Sequence, residues 1–168
     1  MTKIGIIGIG SPLRRDDGIG IVLLEKLKEI KEKLPKNIEY IDGGTGGMNL
    51  LHIFARFDVV VIIDAVNFGG HPGESRLFTS EEVLSKKIST RVSTHESDIL
   101  KIVQLSKKLK ENPDKIFIFG VQPKDTSFGQ FLSVELDDAV ELLVDSLHNE
   151  LVSILNKNHY LGDKTSDC

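Results

Sequence analysis

Apolar positions along the chain fall into two patterns, short dense runs and longer stretches with a helical repeat. Residues 4–9 (Ile-Gly-Ile-Ile-Gly-Ile) form a dense β-branched run, which predicts a strand buried on both faces. Ile19, Leu23, Leu27, Ile30 and Leu34 then recur at spacings of three and four, predicting a helix over residues 17–33 that Pro35 ends. Residues 38–41 predict a second strand, running into Asp42-Gly-Gly-Thr-Gly-Gly47, and residues 48–54 a short helix. Residues 58–63 (Asp-Val-Val-Val-Ile-Ile) carry the strongest strand signal, with Asp64 at its carboxyl end. A loop containing Gly69, Gly70, Pro72 and Gly73 leads to a weaker strand over 75–78 and a short helix or turn at Ser80-Glu-Glu82.

Ser93-Thr-His-Glu96 has the form of a capping box and predicts a helix reaching residue 110, with Leu100, Val103 and Leu109 inward and Pro113 beyond it. Residues 115–121 are the last strand. Leu136, Val140, Leu143, Leu147, Leu151 and Ile154 mark the longest amphipathic helix, with Ser133 as its expected cap. Residues 157–168 are polar and predict a flexible tail, leaving residues 1–156 as one domain.

Strands alternating with helices predict an α/β fold, a three-layer sandwich with a twisted, mostly parallel sheet and helices on both faces. Right-handed crossovers are consistent with the order 2-1-3 for the first three strands. In such a sheet ligands bind outside the carboxyl ends, where the strand order reverses. With that order the loops at the reversal carry Asp16, Asp17 and Asp64.

Composition narrows the class. At 168 residues the chain supports one good core, and 40% hydrophobic with 27% charged residues describes a globular protein. A net charge of −4 gives no electrostatic footprint for nucleic acid or an anionic membrane. The one cysteine is Cys168, the last residue, so no internal disulfide is expected and a reducing, cytoplasmic setting is. A thiol on a polar terminal tail lacks the fixed base that a nucleophile needs. No apolar stretch reaches the length of a membrane span, and the first run has no signal-peptide flanks.

The chemistry is then sought among carboxylates and histidines. Gly8-Ile-Gly10 lacks the third glycine of a dinucleotide fingerprint, and no Walker A loop, Gly-x-Ser-x-Gly elbow or cysteine pair is present. Asp16 is placed as an ordinary N-cap and Asp17 in a first turn, where the helix dipole alone favours an acid. Asp64 is a candidate at the switch point, or a cap for the loop at Asn67 to Gly70. His95, in the first turn expected after Ser93, tends to stay neutral and able to ligate metal. One histidine and two carboxylates suit a divalent metal with open positions, or a general base and its orienter. Asp42-Gly-Gly-Thr45 is either a glycine-rich turn or a mobile lip over the same edge.

Together Gly8-Ile-Gly-Ser-Pro-Leu-Arg-Arg-Asp-Asp-Gly-Ile-Gly20, Asp42-Gly-Gly-Thr-Gly-Gly-Met48, Ile63-Asp-Ala65 and His95 resemble, in order and spacing, the hydrogenase maturation endopeptidases. The resemblance covers residues 3–155; Ser11 stands where the family's familiar form has Asn. It implies a twisted sheet flanked by helices and an endopeptidase that trims the C-terminus of the [NiFe]-hydrogenase large-subunit precursor. It also implies that Asp17, Asp64 and His95 bind nickel already carried by that substrate, and that Asp42, Gly43, Gly44 and Thr45 touch the substrate peptide. The three nickel-binding residues are expected to converge in a cluster open to solvent on one side. Two other readings of the same residues stand beside it. One is a metal-dependent hydrolase of another substrate, the other a nickel-sensing chaperone that does not cut.

Overall fold

A computed structural model of the chain describes residues 1–85, 96–110 and 112–162, with side chains described outside 96–98 and 158–162. Ser93 and His95 lie outside the described residues. Among the described residues five strands form one sheet: β1 (Ile4–Gly8), β2 (Ile38–Asp42), β3 (Val59–Ala65), β4 (Ser75–Thr79) and β5 (Lys115–Val121). Their order is β2-β1-β3-β5-β4, so the expected 2-1-3 arrangement is present. All neighbours run parallel except β4, which closes one edge antiparallel to β5.

The strand residues explain why helices cover both faces. Side chains alternate across a strand, and in β1 and β3 both sets are apolar. Ile4, Ile6, Val59, Val61 and Ile63 join one core with Leu23, Leu24 and Leu27 of α1 (Ile19–Glu29) and Leu136, Leu143 and Leu147 of α5 (Val134–Gly162). Ile7, Val60 and Ile62 join the other. Their partners there are Leu50 and Phe54 of α2 (Asn49–Phe54), Val83 of α3 (Ser80–Leu84), and Ile102 and Val103 of α4 (Glu96–Leu109). Each fully buried Ile or Leu contributes about 1.5–3 kcal/mol relative to leaving it in water. Of the short helix or turn expected at Ser80, the chain forms the helix, because Thr79 and Glu82 make a reciprocal capping box.

Three boundaries differ from the sequence pattern. The helix expected over residues 17–33 is divided: a 3-10 turn at Arg15–Gly18 precedes α1, and a second at Lys31–Lys33 follows it. The apolar repeat records which side faces the core, and a 3-10 turn at either end leaves that record unchanged. At the other end of the chain, α5 continues to Gly162, past the point where polar composition predicts the tail. Helical hydrogen bonding needs no apolar face, so polarity alone does not stop it.

α1 is seated against the sheet by the absence of a side chain at Gly20. A Cβ there would stand 2.2 Å from the carbonyl oxygen of Ile9 and 2.3 Å from that of Ile63. The first turn of α1 therefore rests directly on the ends of β1 and β3, which brings Asp17 to the carboxyl edge of the sheet.

Candidate active site

The strand ends line up in register. Gly8 is paired with Asp42 on one side and Ile63 on the other, and Ile63 with Phe119 beyond it. Asp64 is the next residue of β3, paired with Gly120 of β5. Asp42 and Asp64 thus stand on β2 and β3, two strand spacings or about 10 Å apart across the sheet.

Asp17 reaches this edge by a loop that folds back on itself. Gly10 has φ +147°, and a Cβ on it would lie 1.9 Å from the Asp17 carbonyl oxygen. The Asp17 carboxylate accepts the Ser11 N–H at 2.8 Å, and the Asp17 N–H donates to the Arg14 carbonyl at 3.0 Å. The Ile9 N–H donates to the Ile63 carbonyl at 2.9 Å, so the loop departs from a point bonded to the residue before Asp64. The turn carrying Asp17 contacts β3.

Both carboxylates are buried, Asp17 and Asp64 each being 1% exposed. The expected cluster of Asp17, Asp64 and His95, open to solvent on one side, thus has two buried members among the described residues, and its third lies outside them. Asp17 turns inward to the amide of Ser11, and Asp64 lies within β3, a strand buried at every residue. Among the described residues no three His, Cys, Asp or Glu side chains form a group that could hold a metal ion. The expected third ligand, His95, lies outside them.

The loop after Asp64 is held by a different residue. Gln122, 7% exposed at the end of β5, accepts the N–H groups of Phe68 at 2.9 Å and Gly70 at 3.1 Å. It also donates to the Asn67 side-chain oxygen at 3.1 Å. Gln122 thus bonds the loop at Asn67 to Gly70, the loop for which Asp64 is a candidate cap. Nothing local in the sequence marks that glutamine, because its partners lie 52 to 55 residues earlier.

Asp42 and Thr45 are exposed, and Gly43 and Gly44 carry the backbone of the β2 lip. The Asp42 carboxylate accepts the Gly44 N–H at 2.8 Å. The lip is stitched to β1 by Gly43 N–H to the Gly8 carbonyl and by Gly10 N–H to the Gly44 carbonyl, both 2.8 Å. It is a hydrogen-bonded turn with two exposed polar side chains at the sheet edge.

Asp16 does not cap its own helix. Its carboxylate is wholly buried and accepts from a segment more than a hundred residues away: the N–H of Lys124 and of Asp125 at 2.9 Å, and the Ser133 N–H at 2.7 Å and hydroxyl at 2.8 Å. Ser133, expected as a side-chain cap for α5, gives its hydroxyl to Asp16 instead. The same segment is paired along its length with the Asp17 loop: Arg15 N–H to Gly129 carbonyl, Gly129 N–H to Leu13 carbonyl, and Asp16 N–H to Asp125 carbonyl. Arg15 adopts φ +45°, an uncommon conformation that these bonds hold in place.

The rim formed by these two segments is charged and apolar at once. Hydrogen bonds from Ser127 hold the Asp125 carboxyl below the usual carboxylate range, and a hydrogen bond to Glu135 raises the Lys124 ammonium above its ordinary value. Leu13, Phe128 and Phe131 are exposed, with Arg14 over the Phe128 ring at 5.3 Å. A cleft of about 330 Å³ lies beside this rim, between Ile21 and Val22 of α1 and Leu132.

Comparison with known proteins places these features in a setting. A sequence model described as hydrogenase maturation protease matches residues 21–154. The hydrogenase expression/formation protein HupD of Thiocapsa roseopersicina is 31% identical over 81% of this chain. The chain spans 57% of that relative's length, and little more than half the length of several curated relatives that it matches. The hydrogenase 2 maturation protease of Escherichia coli K12 is 27% identical, over 93% of this chain and 92% of that protein. The solved structure of the hydrogenase maturating endopeptidase HybD from E. coli superposes with a TM-score of 0.77 at 27% identity, covering 90% of this chain and 93% of the other.

Proposed function

The chain belongs to the hydrogenase maturation protease family, and from that premise we propose that it removes the C-terminal extension of a nickel-loaded [NiFe]-hydrogenase large-subunit precursor. The observation that carries this reading is the family match across residues 21–154 on a fold with two buried carboxylates, Asp17 and Asp64, at the reversal of strand order.

The roles follow from chemistry. Asp17, Asp64 and His95 offer two oxygens and a nitrogen, an incomplete set that holds nickel weakly unaided. The precursor's own ligands complete the coordination, so the ion is part of the substrate and positions the scissile bond. When present it polarises the carbonyl or acidifies a water. Water adds to the carbonyl carbon, a carboxylate accepts the proton, and the C–N bond breaks as a proton passes to the leaving amine. Asp42 and Thr45, exposed beside a backbone of glycines, fit an extended peptide laid along the sheet edge.

The deciding experiment incubates the purified protein with nickel-loaded and nickel-free precursor and weighs the products by intact mass. We expect the loaded form alone to lose its C-terminal peptide. Binding with no loss of mass points to a chaperone, and equal cleavage of both forms removes nickel from the account.

A further inference from the structure

The residue beside Asp17 has a role that its sequence position conceals. Asp16 spends both carboxylate oxygens on one distant segment: Oδ2 accepts from Lys124 N, Asp125 N and Ser133 Oγ, and Oδ1 from Ser133 N, at 2.7–2.9 Å. Burying a carboxylate costs heavily unless its oxygens are bonded, and here they are. The donors are backbone groups and one hydroxyl of a segment that opens α5, whose N-terminal end itself favours an anion. Asp16 and Asp17 share a 3-10 turn, in which adjacent side chains project about 120° apart. One carboxylate is therefore anchored away from the site while its neighbour is turned to Ser11.

We infer that Asp16 is a positioning residue: its buried carboxylate clamps the loop after β1 to residues 124–133 and so sets where the Asp17 carboxylate is held. This rests on the role proposed for Asp17. It adds that the geometry of Asp17 is fixed from the far end of the chain, through a side chain that touches neither substrate nor ion. Backbone hydrogen bonds tie the rim bearing Phe128 and Phe131 to the same loop.

The test uses the full chain and Asp16→Asn, which keeps shape but turns one acceptor into a donor facing other donors. Amide exchange followed by NMR should show faster exchange at Lys124, Asp125 and Ser133. It should also be faster at Ser11, whose N–H bonds to Asp17 and not to Asp16, while β3 amides keep their protection. With nickel-loaded precursor, kcat per folded molecule should fall roughly tenfold or more, with KM within about twofold. Ser133→Ala removes one donor to Asp16 and should move both readouts the same way by less, and it carries the test if Asp16→Asn does not fold. Unchanged exchange at Ser11, or a rise in KM with kcat intact, overturns the inference. If the wild-type chain does not cut the precursor, the proposed function fails, and the Ser11 readout still decides the clamp.

Discussion

The loops after β1 and after β2 leave neighbouring parallel strands at the same level, Gly8 opposite Asp42, and both are rich in glycine. They use that glycine for different reasons. In the first, a Cβ on Gly10 meets the Asp17 backbone at 1.9 Å, so the residue is small because the chain returns upon it. In the second, Gly44 and Gly47 have φ of +56° and +97° with nothing within 4 Å of an added Cβ. They are glycine for conformation alone. The side chains divide the same way: Asp16 and Asp17 are buried, while Asp42 and Thr45 are exposed. A loop closed tightly around buried carboxylates transmits a change in its backbone to the carboxylate it carries. The second loop packs against β1 at Gly43, but its outer positions at Gly44 and Gly47 are bent and unpacked, which leaves that surface open to a ligand.

The largest contrast should appear between carboxylates. Asp64→Asn keeps the shape of a buried side chain and removes its charge, so precursor cleavage should fall roughly 100-fold or more. Asp42→Asn retains an acceptor for the Gly44 N–H and should cost less than about tenfold. Single-turnover cleavage of loaded precursor measures both, and equal losses would erase the distinction between buried and exposed acids.

Next come the glycines. Gly10→Ala forces the Asp17 backbone to move and should cost about 3 kcal/mol or more, about 10 °C in Tm. Cleavage should fall beyond the folded fraction. Gly44→Ala meets only the left-handed backbone penalty, about 1 kcal/mol, with cleavage close to wild type. Thermal melts of the two variants side by side check this; a Gly44→Ala as damaging as Gly10→Ala shows that the lip is packed in solution.

The smallest effect belongs to the exposed pair at the base of the rim. The hydrogen bond from Lys124 holds the Glu135 carboxyl below its ordinary range. A lowered folded-state value stabilises above the unfolded value and is lost as pH falls through the folded one. Glu135→Gln should therefore melt barely below wild type at neutral pH, with the gap closing on acidification below about pH 4 and at high salt. A gap that widens with acid would reverse the assigned sign.

Much of the fold was legible because burial on a strand or helix is a local, periodic property. The runs around Ile6 and Val61 predict strands buried on both faces, and parallel pairing with covering helices follows from that. The reversal between β1 and β3 then marks the edge where Asp17 and Asp64 are found. The antiparallel edge strand β4 carries a weaker pattern because only one of its five residues, Phe78, is buried.

What the sequence could not separate was Asp16 from Asp17, adjacent residues of one type with the same local signal. Patterning determined that two acids enter at the start of α1 and that the chain ahead of them is a buried strand. Tertiary structure decided which acid serves which end. The 3-10 turn splits their directions, and the partners of Asp16 lie 108 to 117 residues further on. Gln122 was illegible for the same reason, its partners lying 52 to 55 residues away. A periodic pattern records whether a side chain is buried against neighbours on its own element. Hydrogen bonds between two irregular loops leave no period, because most of their donors are backbone groups that every sequence supplies.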